Sequence, residues 1–224
     1  MKLGAQTLVS SFIALVLFGA LLFTPAGTFD YWQAWLFIAV FVVASAVPTV
    51  YLALKDPAAL QRRMRGGPTA ETRGAQKIAS SFTLLSFPAA MVISAADHRF
   101  GWSEVPTAVS LLGDVVVAVG IAITFAVIIQ NGYAAANITV EAGQKLVSTG
   151  LYELVRHPMY VGILIILAGT PVALGSYWGR LVLVPATFTF AFRIVDEEKM
   201  LTEELDGYLG YTRDVHYRLM PFVW

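Results

Sequence analysis

The sequence contains no cysteine. That excludes a disulfide framework, a thiolate nucleophile and any cysteine-ligated metal site. Charge is scarce as well. Asp, Glu, Lys and Arg make up 13% of the residues, and the two signs balance to a formal net charge of zero. A chain without a basic excess lacks the electrostatic footprint of a nucleic-acid partner. The first apolar run follows Lys2 but lacks a clean small-x-small cleavage pattern, so it reads as an uncleaved helix and not as a removed signal.

What the chain has in abundance is apolar sequence. Hydrophobic residues reach 57% and mean hydropathy is +0.68, far from the composition of a soluble domain. Apolar runs of membrane-crossing length recur at 7–24, 31–54, 77–96, 105–130, 158–175 and 178–195. The last two are short and joined by a few residues around 175–177, as in a tight helical hairpin. The expected fold is an all-α integral membrane protein of five or six transmembrane helices, forming one domain. Pro48, Pro88, Pro171 and Pro185 fall within the runs and predict kinks or broken ends. Gly162 and Gly169, seven apart, offer a close-packing face to a neighbouring helix.

Basic residues orient the chain. The 55–77 loop carries Lys55, Arg62, Arg63, Arg65, Arg73 and Lys77. Placing it in the cytoplasm brings the N-terminus, the 131–157 loop and the C-terminus to the same side, with Arg99 and Arg180 alone among the basic residues on the other. Asp114, inside the fourth run, falls nearer that other face, where pairing with Arg180 or Arg99 is expected.

Two polar clusters bracket the hairpin. The first is the run Gly-Leu-Tyr-Glu-Leu-Val-Arg-His-Pro-Met-Tyr-Val-Gly over 150–162. Proline disfavours helix at the residue before it and suits the first helical position. His157 is therefore expected at a helix mouth, with the backbone N–H groups after Pro158 turned toward the polar side, where electron-rich groups bind. Ser148, Thr149 and Gly150 supply turn chemistry just upstream, and Gly150 permits close backbone approach to a ligand. The second cluster is Arg193, Asp196, Glu197 and Glu198. Arg193 and Glu197 are four apart and share a helix face. Much of this cluster reads as a solvated helix surface, but Arg193 ends an apolar run, where an arginine requires a partner or a task.

Taken together, Leu-Val-Ser-Thr-Gly-Leu-Tyr (146–152), Arg-His-Pro-Met-Tyr-Val-Gly (156–162), Arg193 with Glu197 and Glu198, and Tyr208-Leu-Gly-Tyr211 running to Arg218 and Pro221 resemble the isoprenylcysteine carboxyl methyltransferases. Membrane methyltransferases acting on phospholipid head groups share part of the pattern. The resemblance covers 137–224. It implies a division into N-terminal helices over 1–130 and a cofactor-binding catalytic part over 131–224. It also implies S-adenosylmethionine as cofactor, contacted by Gln144, Lys145, Leu146, Val147, Tyr152, His157, Pro158, Met159, Tyr160 and Glu197, with Asn137 a further candidate. Arg193 corresponds to the residue that engages the acceptor, and Glu198 or His157 would serve as base for an amine or thiol acceptor. The implied partners are a lipophilic small-molecule or prenylated acceptor and membrane lipid, most simply the carboxylate of an isoprenylcysteine-like substrate. The Gly-rich loop after a strand that marks soluble methyltransferases is absent. Two other readings stay open: an NADPH-dependent membrane reductase of the sterol-reductase type, and a non-enzymatic transport or assembly protein resting on Asp114. Nothing in the N-terminal half identifies a groove for a prenyl chain.

Overall fold

The computed structural model describes residues 3–64, 74–133 and 143–224, and the regular structure among them is entirely helical. In chain order come α1 (Leu3–Ala26), α2 (Trp32–Lys55), the short α3 (Pro57–Met64), α4 (Gly74–Phe100) and α5 (Thr107–Gln130). After the 131–150 connection follow the single turn α6 (Leu151–Leu154), α7 (Pro158–Ala173), a 3-10 turn (Trp178–Val182), α8 (Leu183–Glu204) and α9 (Tyr208–Asp214).

The spans Val9–Ala26, Trp32–Lys55, Gln76–Phe100, Thr107–Gln130 and Trp178–Glu204 are each long and apolar enough to cross a membrane. With 16 residues, α7 is about 24 Å long at 1.5 Å per residue, short of the roughly 30 Å hydrocarbon core. It forms the short arm of the expected hairpin. Phe12, Val47, Leu85 and Phe188 are exposed on the outer faces of these helices, a surface suited to lipid and costly in water. Pro48, Pro88 and Pro171 lie inside α2, α4 and α7, while Pro185 sits in the first turn of α8, where its missing N–H costs least.

The tightest packing is between α5 and α7, and small residues cause it. Gly113 and Gly120 on α5 face Gly169 and Gly162 on α7, so both helices carry glycines seven apart. A Cβ on Gly162 would lie 3.0 Å from the Gly120 carbonyl and against Thr124 Oγ1, and one on Gly169 would lie 2.9 Å from a Val116 methyl. Backbone approach of this kind is how helices associate where apolar burial alone gives little drive. The Gly162→Val variant should therefore be destabilised by roughly 1–3 kcal/mol, the cost of overpacking. A thermal midpoint in detergent equal to wild type would contradict that close approach. The lateral core joins Leu22, Phe37, Met91, Val117 and Leu174 from α1, α2, α4, α5 and the end of α7. A second core of Ala90, Leu167, Ala186 and Phe190 seats the hairpin on α4.

Polar residues segregate to the two ends of the bundle. At one end the Tyr31 hydroxyl donates to the Leu174 carbonyl at 2.6 Å. There Asp97 Oδ2 accepts from Ser103 at 2.6 Å and Ser176 at 2.5 Å. Arg99 and Arg180 lie at this end over the rings of Phe100 and Tyr177. The expected pairing of Asp114 with either arginine does not form. Asp114 is 4% exposed and neither carboxylate oxygen has a hydrogen-bond partner. Its neighbour Gly113 is pressed against α7, which turns that part of α5 inward while the two arginines stay among aromatic rings. At the opposite end, Arg62 of α3 donates to the Gly132 carbonyl at 2.8 Å and lies over Tyr133. The polar clusters singled out in the sequence gather at this end.

Candidate functional site

The start of α7 is shaped by the Arg-His-Pro triplet. His157 caps the helix in a non-helical conformation (φ −125°, ψ 61°), with Pro158 at the first helical position. The Val161 N–H returns to the His157 carbonyl at 3.3 Å. Arg156 and His157 are 9% and 5% exposed, far more enclosed than loop residues at a helix start need be. Upstream, Gly150 adopts φ +60° and the space of its missing Cβ is filled by the Gln130 side chain. That amide receives Leu151 N–H at 3.2 Å and donates to the Thr149 carbonyl. The close approach expected of Gly150 is thus to Gln130, which pins the connection to the end of α5, and not to a ligand.

Across from this helix start stands the middle of α8, around 193–198. Arg193, 4% exposed, donates to Ser80 Oγ on α4 and reaches the Tyr160 hydroxyl. Tyr160 in turn donates to Glu197 Oε2 at 2.9 Å, and His157 Nδ1 lies 3.8 Å from the same oxygen. Tyr160 therefore stands between the two groups that the four-residue spacing had placed on one face. Beside them, Gln76 of α4 donates to Asp196. An arginine at this depth carries its partners with it, as burial in an apolar bundle demands.

Ser80, His157, Tyr160, Arg193 and Glu197 border one cavity of about 570 Å3, within the usual range for a small-molecule or cofactor site. Gln144, Lys145, Leu146 and Val147 form one wall, and Tyr152, His157, Pro158, Met159 and Tyr160 another. Arg193 and Glu197 face them from α8. Asn137 lies outside the described residues. Glu198 does not line the cavity: its Oε1 is 2.7 Å from Arg156 Nε and 3.3 Å from His157 Nε2, and its Oε2 is 2.8 Å from Arg218 Nε. A carboxylate held by two guanidinium groups suits anchoring better than taking a proton.

Tyrosines close the polar end. The Tyr152 hydroxyl accepts from Asn131 at 3.1 Å, and Tyr211 donates to the Tyr152 carbonyl at 2.7 Å. Burial pushes the Tyr152 phenol up to about 12, and burial likewise raises Tyr208 and Tyr211. All three are neutral at physiological pH and act as donors or ring faces, not as bases. Tyr208 is 3% exposed with its hydroxyl unpartnered, a cost that a bound polar group would relieve.

The N-terminal half supplies a wall that the sequence did not disclose. Leu17, Phe18 and Leu21 of α1 and Thr83, Leu84 and Phe87 of α4 extend the cavity as an apolar arm beyond Ser80 and Arg193. Phe18 and Phe87 meet at 5.7 Å and rest on Phe41 of α2. Leu17 and Leu84 are 54% and 60% exposed, so this apolar lining reaches the lipid-facing surface. One signal in the sequence does point here. Gln76, Ser80 and Thr83 recur at spacings of four and three, a polar stripe on an apolar helix that faces the bundle interior and leads to Phe87 one turn on.

Residues 108–206 match the model of the phospholipid methyltransferase family. The matched segment runs from α5 to the end of α8 and includes the described 143–160 wall together with Arg193 and Glu197. It overlaps the stretch whose motifs resembled membrane methyltransferases. No curated protein matches the sequence. Among solved structures, that of a eukaryotic intramembrane Ras methyltransferase, isoprenylcysteine carboxyl methyltransferase, is similar over 100% of this chain and 88% of that one, with 20% identity and a TM-score of 0.48.

Proposed function

We propose that the protein is an S-adenosylmethionine-dependent methyltransferase whose acceptor is an amphipathic molecule reached from the bilayer. The observation that carries this reading is a single cavity with two chemically distinct ends, joined at Arg193. The polar end, walled by 144–160 and Glu197, is the part of the chain where the methyltransferase family model matches. The apolar end, lined from α1 and α4, reaches the lipid-facing surface.

The donor set at the polar end fits such a cofactor. Glu197 is a carboxylate for an ammonium or ribose hydroxyl, the start of α7 favours a carboxylate, and Tyr152, Tyr208 and Tyr211 offer ring faces to a sulfonium or an adenine. The unpartnered Tyr208 hydroxyl is a ready donor or acceptor. When bound, the cofactor supplies an activated methyl: its carbon–sulfur bond breaks as a bond to the acceptor forms, and S-adenosylhomocysteine leaves. The chain's own work is alignment and exclusion of water. Val147, Tyr152 and Met159 enclose the polar end, and Arg193 stands at the junction where the acceptor head arrives.

A buried arginine at that junction favours an anionic head. A carboxylate is already ionised at neutral pH and needs no base, and a guanidinium grips it through a forked pair of hydrogen bonds. The acceptor class we infer is therefore an isoprenylcysteine-like carboxylate, its chain lying along Phe18 and Phe87. By the positive-inside bias, the site faces the cytoplasm. Incubating purified protein with methyl-tritiated cofactor and an N-acetyl prenylcysteine should place label in the organic phase as a base-labile ester, and the pre-formed methyl ester should accept none. Label appearing only on an aminophospholipid would keep the transferase and overturn the carboxylate.

A further inference from the structure

Glu198 and Arg218 lie behind the cavity wall and not on it, yet they hold the pieces that form it. The 215–224 segment folds back across the start of α7. Arg156 N–H donates to the Tyr217 carbonyl at 2.8 Å and His157 N–H to the Arg218 carbonyl at 3.0 Å, so two consecutive residues of the Arg-His-Pro triplet are bound by their backbones to this segment. Arg156 Nη1 donates to the Val215 carbonyl at 3.2 Å. The segment closes on itself, with Arg218 and Leu219 N–H groups both donating to the Trp224 carbonyl at 2.9 and 3.1 Å, and the Arg218 guanidinium lies over the Trp224 ring.

One carboxylate ties these pieces to α8. Glu198, with a side chain 11% exposed, meets Arg156 and His157 through Oε1 and Arg218 through Oε2. Its neighbour Glu197 lines the cavity, toward Tyr160 and His157. His157 is therefore flanked by two adjacent carboxylates of α8, one on the cavity wall and one behind it. The orientation of the His157 ring and the height of the α7 start depend on where Glu198 is held. Charged hydrogen bonds in an enclosed setting are strong enough to set such a geometry, and a site is only as well placed as the groups behind it.

We propose that Glu198 and Arg218 are positioning residues: through Arg156 and His157 they fix the α7 start against Glu197, and so set the affinity for the cofactor and not for the acceptor. This rests on the cofactor reading above. The acceptor side has anchors outside the latch, because Arg193 donates to Ser80 on α4 and the apolar arm is formed by α1 and α4.

The test compares Arg218→Met and Arg218→Lys with wild type by calorimetric titration with S-adenosylhomocysteine, acceptor KM at saturating cofactor, and thermal midpoint. Arg218→Met should raise the dissociation constant roughly tenfold, about 1.4 kcal/mol, with acceptor KM unmoved. Arg218→Lys keeps the charge but not the planar fork and should recover part of the loss. A lowered thermal midpoint with cofactor affinity unchanged would show a purely structural strap and overturn the proposal. So would an equal loss of cofactor and acceptor affinity in folded protein. Wild-type protein that binds no S-adenosylhomocysteine would instead overturn the cofactor reading, and the positioning role with it.

Discussion

Replacing Glu197 with alanine is expected to raise the dissociation constant for S-adenosylhomocysteine by a hundredfold or more, roughly 3 kcal/mol. Glu197 is the carboxylate on the described cavity wall, and it accepts from Tyr160 at 2.9 Å with His157 Nδ1 at 3.8 Å. Its removal acts twice. A charged acceptor for the ligand's ammonium or hydroxyls disappears, a loss of about 1.5–3 kcal/mol for one charged hydrogen bond. The Tyr160 hydroxyl also loses its acceptor in an enclosed setting, which costs the folded state about 1–3 kcal/mol and loosens the wall that Glu197 shares. Glu197→Gln separates the two effects: it keeps an acceptor for Tyr160 but not the charge, and should fall between wild type and alanine. Calorimetric titration of folded, detergent-purified variants reads the order directly. Equal affinity in wild type and Glu197→Ala would remove Glu197 from the site.

The second large effect belongs to Arg193. Arg193→Lys should lower kcat/KM for a carboxylate acceptor by about a hundredfold, some 2.7 kcal/mol, and leave S-adenosylhomocysteine affinity nearly unmoved. The guanidinium already serves Ser80 on α4 and Tyr160 on α7, and it is a planar fork of five N–H donors that can bridge several partners at once. A lysine ammonium has three donors on a flexible stem and no fork. It can satisfy the protein partners or the acceptor, but not all of them in one geometry. An interaction that matters only as the acceptor reaches the methyl group is lost from the rate and not from cofactor binding. Steady-state kinetics paired with the binding titration checks this split, and unchanged turnover would remove Arg193 from the reaction.

How much of this was legible in the sequence follows from what kind of signal each feature leaves. The spans were legible because a bilayer imposes a length and a composition, and five of the six apolar runs are full-length helices. Pro158 marked its helix start by backbone sterics alone, and the glycine spacing on α7 announced a close helix contact, though not that α5 would make it, because only small residues allow that approach. The contributions of α1 and α4 were hidden for the same reason the spans were visible. Leu17 and Phe18 stand in a helix that is apolar nearly all round, so no periodicity separates lipid-facing from cavity-facing positions there, and on α4 only the stripe of Gln76, Ser80 and Thr83 marks the inward face. Glu198 looked like a solvated surface charge because its partners, Arg156 and Arg218, lie 42 residues before it and 20 after, and local spacing carries no trace of them. Asp114 misled in the opposite sense: a buried acid led to the expectation of an arginine, and α5 rotated it away from both candidates.

The measurement that tests the central claim most directly is calorimetric titration of the detergent-purified protein with S-adenosylhomocysteine, run beside a reduced nicotinamide dinucleotide and repeated on Glu197→Ala. The account predicts saturable binding of S-adenosylhomocysteine, lost in the variant, and no binding of the dinucleotide. Folded protein that ignores S-adenosylhomocysteine would contradict it, and binding of the dinucleotide in its place would make the same cavity that of a reductase.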